Sequence, residues 1–231
     1  LKKYLFQQNK KVIELKECSK VKKILAEDET KKILEEYGIP VPKEALAQSE
    51  EDTIRIAGEI GYPVVLKLVS PDISNRSKAK CILLDINSEE EVKRGYREII
   101  KNAREFKDGA EILGVLVQKM LPRGKEVVVG LVKDERLTTV VFGLGGIFSD
   151  ILKDISYRNA PVTREEALKM MKEIKAYSIL ESSDIEAIAD VISKISKLGM
   201  EKRDIVEMDI NPLFVYEKGA VAVDSKIIST S

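Results

Sequence analysis

Leu113 to Gln118, Glu126 to Val132 and Leu137 to Phe142 are three β-rich runs that follow one another directly, with Asp134 and Glu135 at a hairpin turn between the last two. Helices are interspersed elsewhere instead of following every strand. This pattern predicts an α+β chain with substantially antiparallel sheets. Val64 to Val69 and Cys81 to Ile86 add two shorter runs, and the last segment, Ile205 to Ile228, returns to β. Within it, Glu217, Lys218 and Gly219 form a turn between Leu213 to Tyr216 and Ala220 to Asp224.

The helical segments carry their own punctuation. Val12, Leu15, Cys18, Val21 and Leu25 recur at helical spacing between charges, predicting an amphipathic helix from Lys10 to Glu27. Ile33, Leu34 and Tyr37 mark a second helix that Gly38 ends, and Ser49 opens a third, carrying Ile54, Ala57 and Ile60 up to Gly61. Ser88 with Glu91 is a capping box for a helix through Phe106, whose Val92, Tyr96, Ile99 and Ala103 face inward. Thr163 with Glu166 opens a helix to Leu180, and another runs from Asp184 to Leu198 with Gly199 as its stop.

Composition excludes several classes of function. The 231 residues hold 39 basic and 39 acidic side chains, so no global field recruits nucleic acid or an anionic membrane. The longest charge-free stretch, Leu137 to Ser149, is thirteen residues, short of the roughly 18 that suggest a membrane span. No secretory signal is visible at the start, and the missing initiator Met suggests trimming. Cys18 and Cys81 stand far apart with no histidine anywhere, which excludes a Cys/His zinc site and argues for a reducing, cytoplasmic location. Chemistry without histidine must run on carboxylates, lysine, arginine, backbone donors and metal. Charged residues at 34% with aromatics at 5% match the Lys/Glu-rich bias of thermophile proteins.

Counting back from the carboxy-terminal turn sets Asn211 opposite Asp224 or Ser225, with Asp209 on the face of Asn211, so that hard oxygens gather about 5 Å apart. Such a set suits Mg²⁺; a capped strand end is the plainer alternative. Lys67 interrupts an apolar strand, as an edge-strand charge or as a phosphate-binding lysine. Gly143, Gly145 and Gly146 follow a strand and let backbone N–H groups approach an anion, or simply make a turn, and they match no standard dinucleotide or Walker fingerprint. Asp150, Asp154 and Arg158 would share a helix face as salt-bridge partners, with Arg158 beside a phosphate loop as the alternative. Glu126 at a strand start holds ribose hydroxyls or is solvated.

In order, these features and the connection Gln118-Lys119-Met120 resemble the ATP-grasp nucleotide site. The longer likeness is to the β subunit of ADP-forming acyl-CoA synthetases, acetate-CoA ligase (ADP-forming) in particular. It runs through Tyr37-Gly38-Ile39-Pro40-Val41-Pro42, Gly61-Tyr62-Pro63-Val64-Val65-Leu66-Lys67, Ser70-Pro71-Asp72-Ile73, Gly124-Lys125-Glu126-Val127, Phe142-Gly143-Leu144-Gly145-Gly146-Ile147-Phe148, Lys175-Ala176-Tyr177 and Asp209-Ile210-Asn211-Pro212-Leu213. The resemblance implies an ATP-grasp fold, two α+β subdomains clamping ADP or ATP, with the adenine near Val117 to Leu121. It implies phosphate contacts from Lys67 and Arg158, ribose contact from Glu126, a glycine cover over the phosphates, and Mg²⁺ on Asn211 and Asp224 with Asp209 beside them. Expected boundaries are 1–27 for an amino-terminal helical extension, 28–116 for the first subdomain and 117–231 for the second.

The implied reaction takes acyl-CoA, phosphate and ADP to free acid, CoA and ATP through acyl phosphate and phosphohistidine. A separate α subunit holds CoA, so the expected assembly is a hetero-oligomer. Where the family's phosphorylated histidine follows Ser-Pro-Asp-Ile by two positions, this chain has Asn75. An amide nitrogen, its lone pair delocalised into the carbonyl, cannot carry phosphoryl as imidazole does. The link Leu180-Glu181-Ser182-Ser183-Asp184 is shorter than in relatives. A catalytically silent nucleotide-binding or regulatory paralogue is therefore the alternative expectation.

Overall fold

The computed structural model describes residues 22–25, 27–73, 75–134, 137–145 and 154–230. Two compact units emerge: Pro42–Pro122, and the described residues on either side of it.

Pro42–Pro122 holds β2 (Glu44–Ala47), α2 (Glu50–Ile60), β3 (Val64–Val69), β4 (Ile82–Ile86), α3 (Glu89–Phe106) and β5 (Gly114–Lys119). The strands make an antiparallel sheet in the order β2-β5-β3-β4. Ser49 and Ser88 cap the two helices as their spacing predicts, accepting from the amides of Asp52 and Glu91. Val92, Ile99 and Ala103 of α3 and Ile56 of α2 pack on Val64, Leu66, Leu68, Val115 and Val117. Gly95 belongs to the same contact: a Cβ there would stand 2.9 Å from Leu66 Cδ1. The β3 strand is interior, which removes the edge-strand explanation for Lys67.

The other unit has α1 (Glu27–Glu36), α4 (Arg164–Lys172) and α5 (Ile185–Glu201), with a seven-stranded sheet. Its path is β1 (Lys22–Ile24), β11 (Ser225–Thr230), β9 (Ile205–Val215), β6 (Lys125–Lys133), β7 (Thr138–Leu144) and β8 (Ile155–Asn159), and β10 (Ala220–Ala222) pairs with β9. Leu34, Met170, Ile188, Ile192 and Ile195 from the helices bury Val129, Leu131, Phe142, Met208 and Ile210. Among the described residues no helix is long and apolar enough to cross a membrane.

Several sequence expectations are corrected. Lys22–Ile24, within the expected amino-terminal helix, is a strand, because the edge of β11 offers backbone partners from Ile228 to Thr230; the remainder of that expected helix, with Cys18, lies largely outside the described residues. The boundaries 28–116 and 117–231 differ from the units found. Leu34 and Ile39 are buried in the core of the larger sheet, and the Ala222 amide donates to the Pro40 carbonyl at 2.8 Å, so the described residues up to Val41 belong with the carboxy-terminal part. The helix from Thr163 stops at Lys172, and Tyr177–Leu180 is a separate 3₁₀ turn. The Asp154 carboxylate takes the intervening amides of Lys175 and Ala176, each at 2.8 Å. Gly199 does not stop α5. It lies inside the helix, where a Cβ would meet Leu131 Cδ2 at 2.8 Å, so its smallness serves helix-on-sheet packing.

Candidate functional site

Lys67 sits on interior strand β3 with 5% of its surface exposed. Its register partners are the apolar Leu116 and Ile82. Among the described residues no carboxylate or carbonyl accepts from its Nζ. A lysine held on an interior strand presents its ammonium as a fixed point charge, which suits an anion. Gln118 on β5 is 1% exposed and donates Nε2–H to Glu44 Oε2 at 2.6 Å. Met120 follows β5 and donates its amide to the Pro63 carbonyl at 3.1 Å. Lys119 between them turns its Nζ to the carbonyls of Gly61 and Tyr62, both at 2.9 Å. Glu44 is a participant that sequence reading missed; only the β2–β5 register, Glu44 opposite Gln118, exposes it.

In the larger unit, Glu126 is an exposed residue of β6. Gly143 is inside β7, where a Cβ would stand 2.8 Å from the Asp154 carbonyl oxygen. Gly145 donates its amide to the Glu126 carbonyl at 2.8 Å, and its Cβ would press on the Glu126 backbone at 3.0 Å. Both glycines thus have packing reasons of their own. Gly146 and Asp150 lie outside the described residues.

Arg158 is on β8, not on a helix, opposite Val140, and its guanidinium pairs with Glu173. That pair raises the arginine's pKa further. Asp209 on β9 is opposite Gly130, which is opposite Val141. Since Val140 and Val141 project to opposite faces, so do Arg158 and Asp209. Glu126, four residues before Gly130, shares the Asp209 face. The structure therefore sets Glu126 on the same face of the sheet as Asp209 and Arg158 on the helix-covered side.

The expected backbone pairing of Asn211 with Asp224 forms. Asn211 donates its amide to the Asp224 carbonyl at 3.0 Å, as counting back from the turn predicts. Asp209 Oδ1 and Ser225 Oγ are buried and make no hydrogen bond among the described residues. Burial, with the charges of Glu207 and Asp224 nearby, pushes the Asp209 carboxyl up to about 6. Among the described residues no three His, Cys, Asp or Glu side chains form a metal cage. The donor set is instead an exposed amide, Asn211, two carboxylates, Asp209 and Asp224, and one orphaned buried oxygen on Asp209. That fits Mg²⁺, which takes few protein ligands and completes its shell with water and phosphate.

Residues 17–228 match the ATP-grasp domain family. The acetate–CoA ligase [ADP-forming] I subunit beta of Pyrococcus furiosus is 48% identical over 211 residues, covering 88% of this chain and 91% of that one. The chain belongs to the ATP-grasp family of ADP-forming acyl-CoA ligase β subunits. Two solved structures of the dinucleotide-forming acetyl-coenzyme A synthetase 1 of Candidatus Korarchaeum cryptofilum share the ATP-grasp fold, each over 90% of this chain and 93% of that one. One, with coenzyme A and Ca-AMPCP, superposes with a TM-score of 0.87 at 43% identity. The other, with coenzyme A and Mg-AMPPCP, has its phosphohistidine segment pointing towards the nucleotide binding site, with a TM-score of 0.79 at 40% identity.

In this ATP-grasp chain, Asn75 begins the turn Arg76–Lys80. Its Oδ1 accepts from the Lys78 amide at 2.9 Å and its carbonyl from the Ala79 amide at 3.1 Å. The side chain is thus a local cap, a role for which asparagine is among the best residues.

Proposed function

We propose that this chain is the nucleotide-binding β subunit of an ADP-forming acyl-CoA ligase and works with an α subunit to convert acyl-CoA, ADP and phosphate to acid, CoA and ATP. The observation that carries the reading is the buried, unpartnered Oδ1 of Asp209 on the strand that pairs Asn211 with Asp224 through a backbone hydrogen bond.

Asp209, Asn211 and Asp224 would hold Mg²⁺, which supplies charge neutralisation to a phosphoryl group in transfer. Lys67 supplies a fixed positive charge for a phosphate, its position set by an interior strand. Gln118, held by Glu44, and Met120 would border the adenine, with Glu126 at the ribose hydroxyls. Arg158 reaches phosphate only by leaving Glu173. The comparison proteins support the reading through their names, β subunit among them, and their bound AMPCP and AMPPCP. A cytoplasmic location follows from the same reading.

Calorimetric titration with ADP, with and without Mg²⁺, tests it on the parent and Asp224→Ala. Saturable binding that strengthens with Mg²⁺ in the parent and loses that gain in the variant is the expected result. Equal loss with and without the metal overturns the metal assignment, and no binding by the folded parent overturns the nucleotide reading.

Asn75 favours a second reading. With no histidine in the chain, a subunit that binds nucleotide without relaying phosphoryl is the alternative, and direct transfer from a phosphohistidine of the partner to bound ADP is the active route that remains.

A further inference from the structure

A cleft of about 530 Å³ opens where β6 starts and β9 ends, lined by Arg123, Lys125, Ser182, Ser183, Glu217 and Lys218 among others. Three cations face one carboxylate. Lys125 is anchored: its Nζ donates to the Ile179 carbonyl and to Ser182 Oγ. This leaves one ammonium N–H uncommitted, and because Ser182 Oγ accepts from lysine, its own proton is free to point into the cleft. Arg123 and Lys218 have no carboxylate or carbonyl partner among the described residues.

The cleft is framed by fixed backbone. The Asp184 carboxylate accepts from the Gly219 amide at 2.7 Å and from the Ala187 amide at 3.0 Å, and its own amide donates to the Tyr216 carbonyl at 2.8 Å. That ties the Ser182–Ser183 turn to the hairpin turn bearing Lys218. Lys125 is paired with Val215, four residues beyond Asn211, so the cleft lies about 13 Å along β9 from the oxygen cluster.

We propose that this cleft is an anion site, built from residues other than those assigned to the nucleotide, that takes a phosphate dianion. Two uncommitted cations, a held lysine and a hydroxyl turned into a donor match the charge-assisted recognition of tetrahedral oxyanions. The phosphate is either inorganic or the monoester of a larger molecule; the chemistry is shared, and the test separates the two. The inference does not rest on the nucleotide reading, since none of the cleft's residues is assigned to the nucleotide.

The experiment follows the backbone amide resonances of Ser182, Ser183, Lys218 and Gly219 in the full chain. Inorganic phosphate and adenosine 3′,5′-bisphosphate are the two probes, with potassium chloride at matched ionic strength as the control. Saturable shifts with phosphate and not with chloride are expected. Arg123→Gln/Lys218→Gln should weaken binding by about tenfold or more, since each removes a charge-assisted contact. Ser182→Ala, which retains every cation, should weaken it by roughly three- to tenfold. Tighter binding of the bisphosphate assigns the site to a monoester; equal or weaker binding assigns it to free phosphate. No saturable shift, the same shift with chloride, or unchanged affinity in the double variant overturns the proposal. ADP titration of the double variant should match the parent, which keeps this test independent of the nucleotide site.

Discussion

The amide of Asn211 donates to the carbonyl of Asp224 at 3.0 Å, and this one backbone bond fixes the register that brings both side chains to the same strand end as Asp209. Asp209 is half-buried, its Oδ1 wholly so and unpartnered among the described residues, and its carboxyl is raised to about 6 by burial. A raised carboxylate keeps its proton in the folded chain after the unfolded chain has lost its own. Stability in metal-free buffer should therefore fall as pH rises from about 4 to above 6, by on the order of 2–3 kcal/mol from this group. Asp209→Asn should remove that part of the decline, and saturating Mg²⁺ should shrink it in the parent. Denaturant titrations at several pH values check this; identical pH profiles for parent and variant would remove Asp209 from the account.

Lys67→Met should separate binding from stability. The residue is 5% exposed and no carboxylate or carbonyl among the described residues accepts from its ammonium, so an apolar side chain of similar length should leave the nucleotide-free protein unchanged or more stable by up to about 2 kcal/mol. Nucleotide affinity should fall by about tenfold or more. Thermal unfolding and ADP calorimetry on the same preparation read both effects. Destabilisation by several kcal/mol would instead assign Lys67 a structural partner.

The glycines supply a comparison that needs no ligand. Gly143→Ala sets a Cβ 2.7 Å from Ile155 Cγ2 and 2.8 Å from the Asp154 carbonyl oxygen, an overpacking against backbone that should cost about 1–3 kcal/mol. Gly58, within α2, has nothing within 4 Å of its Cβ position, so Gly58→Ala should gain about 0.5–1 kcal/mol. Opposite signs in thermal unfolding are the expected outcome. Stabilisation of both variants would show that β8 yields at Gly143.

What could be read from the sequence was local. Ser88 with Glu91, Ser49 before α2, and Gly38 after α1 act within a few residues, and their helices begin and end within a residue or two of expectation. The hairpin register carried Asn211 to Asp224 because the intervening turn is short. Elements that exist through distant pairing were lost. β1 needs the edge of β11, some two hundred residues away, and β8, Ile-Ser-Tyr-Arg-Asn, is a polar strand whose Arg158 follows Asp150 and Asp154 at a four-residue spacing that mimics a helix face. For the same reason Arg158 seemed a neighbour of the glycine segment, when Glu173 on the helix-covered side engages it. Lys67 could not be decided locally, because whether β3 is edge or interior depends on where β5 and β4 pair.

Asn75 gives the decisive test of the relay. Its Oδ1 accepts from the Lys78 amide at 2.9 Å and closes the turn to Lys80, a residue at φ 53°. Asn75→Ala should cost about 0.5–2 kcal/mol through loss of that cap, whether or not the loop carries phosphoryl. Asn75→His introduces an imidazole, which can accept and pass on phosphoryl. With an α subunit supplying acyl phosphate, the silent reading expects ATP formation by Asn75→His and none by the parent. Direct transfer to bound ADP expects the parent to form ATP already, with Asn75→Ala as active as the parent once its stability is matched by temperature. Acid-labile phosphate on Asn75→His, absent from the parent, identifies the restored relay even where turnover is slow.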